Sequence, residues 1–378
     1  MIMRIALILG LAGLSLLAPC GVASSTEGGT DARPEAGTVT IMSGSTFDGT
    51  AVIARDLAAL VGDGSLRAVP MIGQGPAQTL RDILSAGGTG VSVDLGVTHS
   101  TVLNHYAQTG ELGPIKDRLV YVAKLFNEDL HLLAGANIAT VEDLDGKVVN
   151  VGPEGSATEI AAEILFEALE LHIEAAHLDP ADAVAQVRSG DLDAALLIGT
   201  TPIAGLSQIG SEAGVRLLPV PYPRGLEDDT YPTVLTHEDY PALIESGARV
   251  DTVGICAVLV SLGDTEGDAE DTSRQARIDL FVDRFFAKFD ALRQPPNHSN
   301  WQEVNFAATL EGWRRAPQSQ AWLDRARSAA LAEARERESF KKFLTQTGDA
   351  VSPGSVSDAD QEKLFRAFKA WSKAQQSN

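Results

Sequence analysis

Between Lys147 and Leu169 the chain reads KVVNVGPEGSATEIAAEILFEAL, a β-rich run, a Gly-Pro-Glu-Gly turn and then an amphipathic helix. Ser156 stands at the expected N-cap with Glu159 three residues on, the spacing of a capping box. A strand that feeds a helix through so tight a turn belongs in a βα unit. The bare N–H groups of that helix start can seat a carboxylate or phosphate. The same two residues equally serve as an ordinary cap of their own helix.

The pattern recurs. From Thr38 on, expected strands at 38–42, 66–71 and 90–97 alternate with expected helices at 51–61, 79–85 and after 100, which predicts α/β architecture with a doubly wound parallel sheet. Extended runs at 121–126 and 130–133 are split by Asn127-Glu128-Asp129, where the chain is expected to cross to a second lobe. Alternation then resumes with strand 147–151, a helix, helix 181–189 and strand 194–198. The Pro-rich segment 217–223 and the apolar run 253–260 bring the chain back.

The expected layout is lobe 1 from residues 38–128 and 218–289, lobe 2 from 129–217, and a helical C-terminal extension over 290–378. Within 278–292, Ile278, Phe281, Val282, Phe285, Phe286, Phe289 and Leu292 keep the helical period. All four tryptophans lie beyond them. A last helix at 361–373 sets Leu364, Phe365 and Phe368 on one face, expected to pack against the lobes.

Composition narrows the function. The 378 residues carry 51 acids against 30 Lys and Arg, a net charge of −21, which excludes nucleic acid and charge-driven adhesion to anionic membranes. Residues 1–23 read as a signal peptide: Arg4, the apolar run Ile5–Leu17 and a cleavage site at Gly21-Val22-Ala23. Leu17-Ala18-Pro19-Cys20 resembles a lipoprotein box, with Pro19 as a departure, and a lipid on Cys20 would tether the chain. Residues 24–37 form a Gly/Ser/Thr/acid linker. The expected location is therefore the periplasm. Cys256 lies in an apolar run and has no second cysteine to pair with once Cys20 is removed.

Ligands of open parallel sheets sit beyond the carboxyl ends of the strands. Four junctions there are rich in hydroxyls and glycines: Ser43–Thr50, Thr98–Thr101, Gly152–Thr158 and Gly199–Thr201. Asp48 would pair with a ligand ammonium, and His99 is a titratable ring beside a helix start. A protonated His99 holding a carboxylate would make affinity fall as pH rises. No H-E-x-x-H, G-x-S-x-G, P-loop or G-x-G-x-x-G pattern occurs, and the histidines lack metal spacing. The expected protein is not an enzyme and takes no cofactor and no metal.

Several blocks resemble the TAXI solute receptors of TRAP-type transporters: SGSTFDGTAVIARDLAALV (43–61), VSVDLGVTHSTVL (91–103), KLFNEDLHLLAG (124–135), VEDLDGKVVNVGPEGSAT (141–158) and VDTVGICAVLV (250–260). Residues 281–313 are similar to a C-terminal extension of one branch. The resemblance implies a two-lobed periplasmic-binding-protein fold, type II-like, that closes on a glutamate-like amino acid or dicarboxylate and delivers it to a TRAP-type permease. By position it implies ligand contacts from Ser43, Gly44, Ser45, Thr46, Gly49, His99, Ser100, Gly155, Ser156, Thr158, Gly199, Thr200 and Thr201, to which the junction chemistry adds Asp48 and Thr50. Thr50 and Ala51 replace aromatic residues of the family, and His99 and Thr101 replace its Gln and Asp. A periplasmic sensor using the same cleft is the alternative.

Overall fold

In the computed structural model, residues 37–44, 49–85, 92–211, 214–222, 230–263, 269–346 and 362–369 are described. The expected signal peptide, Cys20, the expected linker up to residue 36, Ser45, Thr46, Asp48 and Trp371 lie outside them. No helix among the described residues is long and apolar enough to cross a membrane.

The chain starts with β1 (Gly37–Ser43), α1 (Thr50–Val61), β2 (Leu66–Ile72), α2 (Pro76–Leu84), β3 (Leu95–His99), α3 (Ser100–Thr109) and the single turn α4 (Ile115–Arg118). The long strand β4 (Leu119–Ala134) follows, then β5 (Val148–Asn150), α5 (Ala157–Ala168), β6 (Glu174–Ala176), α6 (Pro180–Ser189) and β7 (Ala194–Gly199). A short α7 (Ala204–Ser207) leads to β8 (Arg216–Leu218), β9 (Thr230–Thr236) and a second long strand, β10 (Arg249–Leu262). Two helices, α8 (Ala269–Lys288) and α9 (Pro317–Gln346), complete the main elements. The architecture is mixed α/β with a helical C-terminal region.

One sheet runs through the molecule in the order β2-β1-β3-β10-β4-β7-β5-β6, with β9 beside β10 and β8 beside β4. The expected all-parallel sheet is found only at its two ends. β1 runs parallel to β2 and β3, and β5 parallel to β6 and β7. In the middle, β10 is antiparallel to β3 and β4, and β4 is antiparallel to β7. The two ends are thus joined by two long antiparallel strands that belong to both.

The expected break at Asn127-Glu128-Asp129 does not occur. β4 passes straight through these residues because β10 pairs with it there, Gly254 to Asp129 and Cys256 to Asn127, so the backbone groups stay satisfied. Only the neighbour on the other edge changes. Tyr121 bonds Arg314 and Ala316, and from Asp129 onward β7 takes over. β6 and β9 had no expectation in the sequence, whereas α9 lies in the helical extension expected over 290–378.

Strand alternation separates the cores. Leu130, Leu132, Ala134, Ala194, Leu196 and Ile198 face one layer; Leu133, Ala195 and Leu197 face the other, where α6 packs. The first layer continues into the other half of the sheet through Met42, Leu80, Val102 and Leu103, so α2, α3 and α5 share one apolar layer. On the opposite face of β1, β3 and β10, α1 and α8 pack with Trp301, and every apolar position expected over 278–292 is buried.

The last helix, 362–369, differs from expectation. Phe365 and Phe368 pack on Phe340 of α9, at 5.5 and 5.3 Å between ring centroids, rather than on the sheet. α9 is otherwise largely exposed from 320 to 341.

Candidate functional site

Three of the four junctions meet at two consecutive acids, Glu128 and Asp129, in the middle of β4. His99 ends β3 and is the N-cap of α3, with no side-chain cap of its own. Its Nε2 lies 2.5 Å from Glu128 Oε2, and both side chains are buried, at 1% and 0% exposure. The Glu128 carboxylate in turn lies against Gly49 at the start of α1, where a Cβ would collide with Oε1. Only glycine leaves room for that approach. Glu128 Oε1 itself has no hydrogen-bond partner among the described residues, nor have the buried hydroxyls of Thr98 and Thr101. A buried polar atom left bare costs about 1–3 kcal/mol; the Glu128 oxygen can only accept, whereas the two hydroxyls can donate or accept.

Asp129 draws in the third of these junctions, Gly199–Thr201. Thr201 Oγ1 donates to Asp129 Oδ2 at 2.6 Å. Behind it, the Ile203 N–H donates to Tyr240 Oη, whose hydroxyl donates to His131 Nε2, at 2.8 Å each. His131 Nδ1–H completes the chain on the Asp129 carbonyl at 2.9 Å. Burial depresses His131 to a pKa of about 4, so the ring is neutral, as this relay requires. Burial raises the Asp129 carboxyl above the usual range, against the lowering effect of the Thr201 and Thr233 hydroxyls. Tyr231 and Tyr240 are both raised by burial.

The remaining junction meets a loop that sequence reasoning passed over. Ser156 Oγ accepts from the Glu159 N–H at 3.1 Å, as the capping pattern predicts. The reciprocal bond goes one residue earlier than in a capping box: the Gly155 N–H donates to Glu159 Oε2 at 2.5 Å. His177 holds the same carboxylate through Nδ1, 3.3 Å from Oε1. The anion seat at this helix start is therefore filled in part by the chain's own Glu159. Across from it, the β2–α2 loop touches the turn. A Cβ on Gly75 would lie 2.6 Å from the Gly155 carbonyl oxygen, a backbone contact that cannot give way.

Other candidate residues serve the loops that carry them. Ser43 Oγ donates to the Met71 carbonyl, and the Gly44 N–H donates to Thr50 Oγ1. Thr200 Oγ1 lies 3.2 Å from His298 Nε2. Thr158 packs on Gly152, whose φ of 84° and lack of space both demand glycine. Ser100 is buried at the start of α3 and Gly199 closes β7. Ser45, Thr46 and Asp48 are outside the described residues. The carboxylate that His99 was expected to take from a ligand is supplied by Glu128.

Residues missed in the sequence include Glu128, Asp129, Gly75 and His298. His298 stacks on Phe126, with ring centroids 5.4 Å apart, and its N–H donates to Asp56 Oδ2. Trp301 Nε1 donates to the same oxygen at 2.9 Å. The extension thereby links α1, β4 and the Thr200 loop.

Solved structures similar to this chain include the periplasmic aliphatic sulphonate binding protein SsuA from Escherichia coli. It is 19% identical, with a TM-score of 0.40, over 76% of this chain and 83% of that one. A TctC solute binding protein from Polaromonas is 15% identical, with a TM-score of 0.38, over 72% and 91%. The effector binding domain of QuiR in complex with shikimate is 11% identical, with a TM-score of 0.39, over 67% and 98%. In sequence, residues 89–264, just under half of the chain and including all of β3 through β10, match the NMT1-like family.

Proposed function

We propose that this chain is an exported solute-binding receptor. It captures a small polar organic solute in a gap between the two halves of the sheet and delivers it, unchanged, to a membrane permease. In this reading residues 38–128 and 218–289 form one lobe, 129–217 the other, and the extension over 290–378 braces the first. A glutamate-like amino acid or dicarboxylate, and a permease of the TRAP type, are the solute class and partner implied by the sequence resemblance. The match of residues 89–264 to the NMT1-like family is consistent with that resemblance.

The observation that carries the reading is convergence. The loops after β1, β3 and β7 meet at Glu128 and Asp129, on a strand common to both halves, and the loops after β2 and β5 touch through Gly75 and Gly155. Buried polar atoms without partners line the same place. Ligands of open α/β sheets gather at such strand ends.

Titration of the full chain by calorimetry against amino acids, dicarboxylates and keto acids, with small-angle scattering, tests the reading. One solute class should bind saturably, make the particle more compact and be recovered intact. Absence of saturable binding, or chemical conversion of the solute, overturns it. Uptake into vesicles carrying a TRAP-type permease, dependent on the loaded chain, tests the partner.

A further inference from the structure

We propose that the solute presents a primary ammonium or guanidinium group to Glu128 and carries no net negative charge: a basic or neutral amino acid, or a small amine. The inference rests on the receptor reading and narrows it to cationic and neutral solutes, setting aside both the glutamate-like amino acids and the dicarboxylates that the resemblance implies.

Glu128 is fully buried, its Oε2 is held by His99 and its Oε1 accepts from no described residue. A carboxylate oxygen is an acceptor only, so what completes it must donate. A cationic N–H donor makes the stronger, charge-assisted bond.

The surroundings have the wrong sign for a dianion. The described segments at the strand ends, 43–44, 49–50, 73–76, 98–101, 152–158 and 199–203, contain no Lys or Arg, while Glu154 adds an acid. Asp129 follows Glu128 directly, and Glu303 of the extension is close enough for Asp129 to help raise its pKa, after burial. The one lysine near in sequence, Lys124, four residues before Glu128, lines a hollow with two further polar residues and an acid, Asn127, Tyr231 and Glu303.

The helix starts that would otherwise hold an anion are partly taken. Glu159 occupies the Gly155 amide at α5, and Glu128 lies against Gly49 at α1. The start of α3 has neither a side-chain cap nor an acid in its first turn. In this proposal a single ligand carboxylate, as in an amino acid, would sit there beside the bare hydroxyl of Thr101. One cation seat with at most one anion seat excludes a dianion and accepts a zwitterion or an amine.

Calorimetry on the full chain at neutral pH decides, with arginine, lysine, leucine and putrescine as one probe set and succinate, 2-oxoglutarate and glutamate as the other. A member of the first set is expected to bind best, and Glu128→Gln to weaken it by roughly 30-fold. Glu128→Asp, which keeps the charge on a shorter stem, should retain part of the affinity and serves where the Gln variant does not fold. Tightest binding by succinate, 2-oxoglutarate or glutamate overturns the proposal and leaves the receptor reading standing. Equal amine affinity in wild type and Glu128→Gln overturns it as well. No saturable heat from either set, with no compaction in scattering, sinks both.

Discussion

His131 shows how one buried ring sets a pH response. Its folded pKa of about 4 lies below the unfolded value near 6.5, so the folded state refuses a proton that the unfolded chain accepts. Its contribution is complete above pH 6.5 and is lost as pH falls toward 4, by roughly 3 kcal/mol in all. Asp129 works in the opposite sense. Its raised pKa favours the protonated form, so its contribution is present at low pH and is lost as pH rises through its folded pKa. Thermal melts between pH 5 and 7 should therefore show a falling melting temperature on acidification, and His131→Gln should flatten the slope. Parallel curves for the two proteins would contradict the relay through Tyr240 and Asp129.

The elements differ in how plainly the sequence announces them. α5 is announced by its cap, and Ser156→Ala should cost about 1 kcal/mol in urea unfolding. A loss within error would mean that Glu159 and His177 hold the turn without the serine. The helical period likewise gives α8, because its buried face is a row of large apolar residues. β4 is the instructive failure. Three polar residues in succession resemble a loop, and only pairing with β10, more than a hundred residues away, keeps them in a strand. The same distance hides Glu128 as a site residue, since nothing local marks the meeting of residues 49, 99 and 128. The role of the extension is equally invisible, as Asp56 and Trp301 are joined only in three dimensions. Trp301→Ala should cost roughly 3–5 kcal/mol by emptying a buried aromatic site, and it also leaves Asp56 without its indole donor. Denaturant titration reads this directly, and a variant as stable as wild type would show that the extension is only draped over the sheet.

At the scale of the molecule, the contact between Gly75 and Gly155 ties the two halves where no strand connects them. Gly75→Val places side-chain atoms into the Gly155 backbone and should hold the halves apart. The solute found by the screen is expected to bind at least about tenfold more weakly, the cost of a closing contact worth some 1.4 kcal/mol. Scattering should show a more extended particle while unfolding stability changes little. Unaltered affinity would mean that capture does not involve this approach.

β4 and β10 carry a mechanical corollary. Two adjacent strands bonded side by side resist shear, because sliding would break their ladder, yet they twist at little cost where the ladder is already irregular. β10 loses register with β4 between Cys256 and Val258 and again between Leu259 and Val260. If the proposed gap opens, these two points are where the pair of strands would wind, and the outer loops would then follow a short arc rather than a slide.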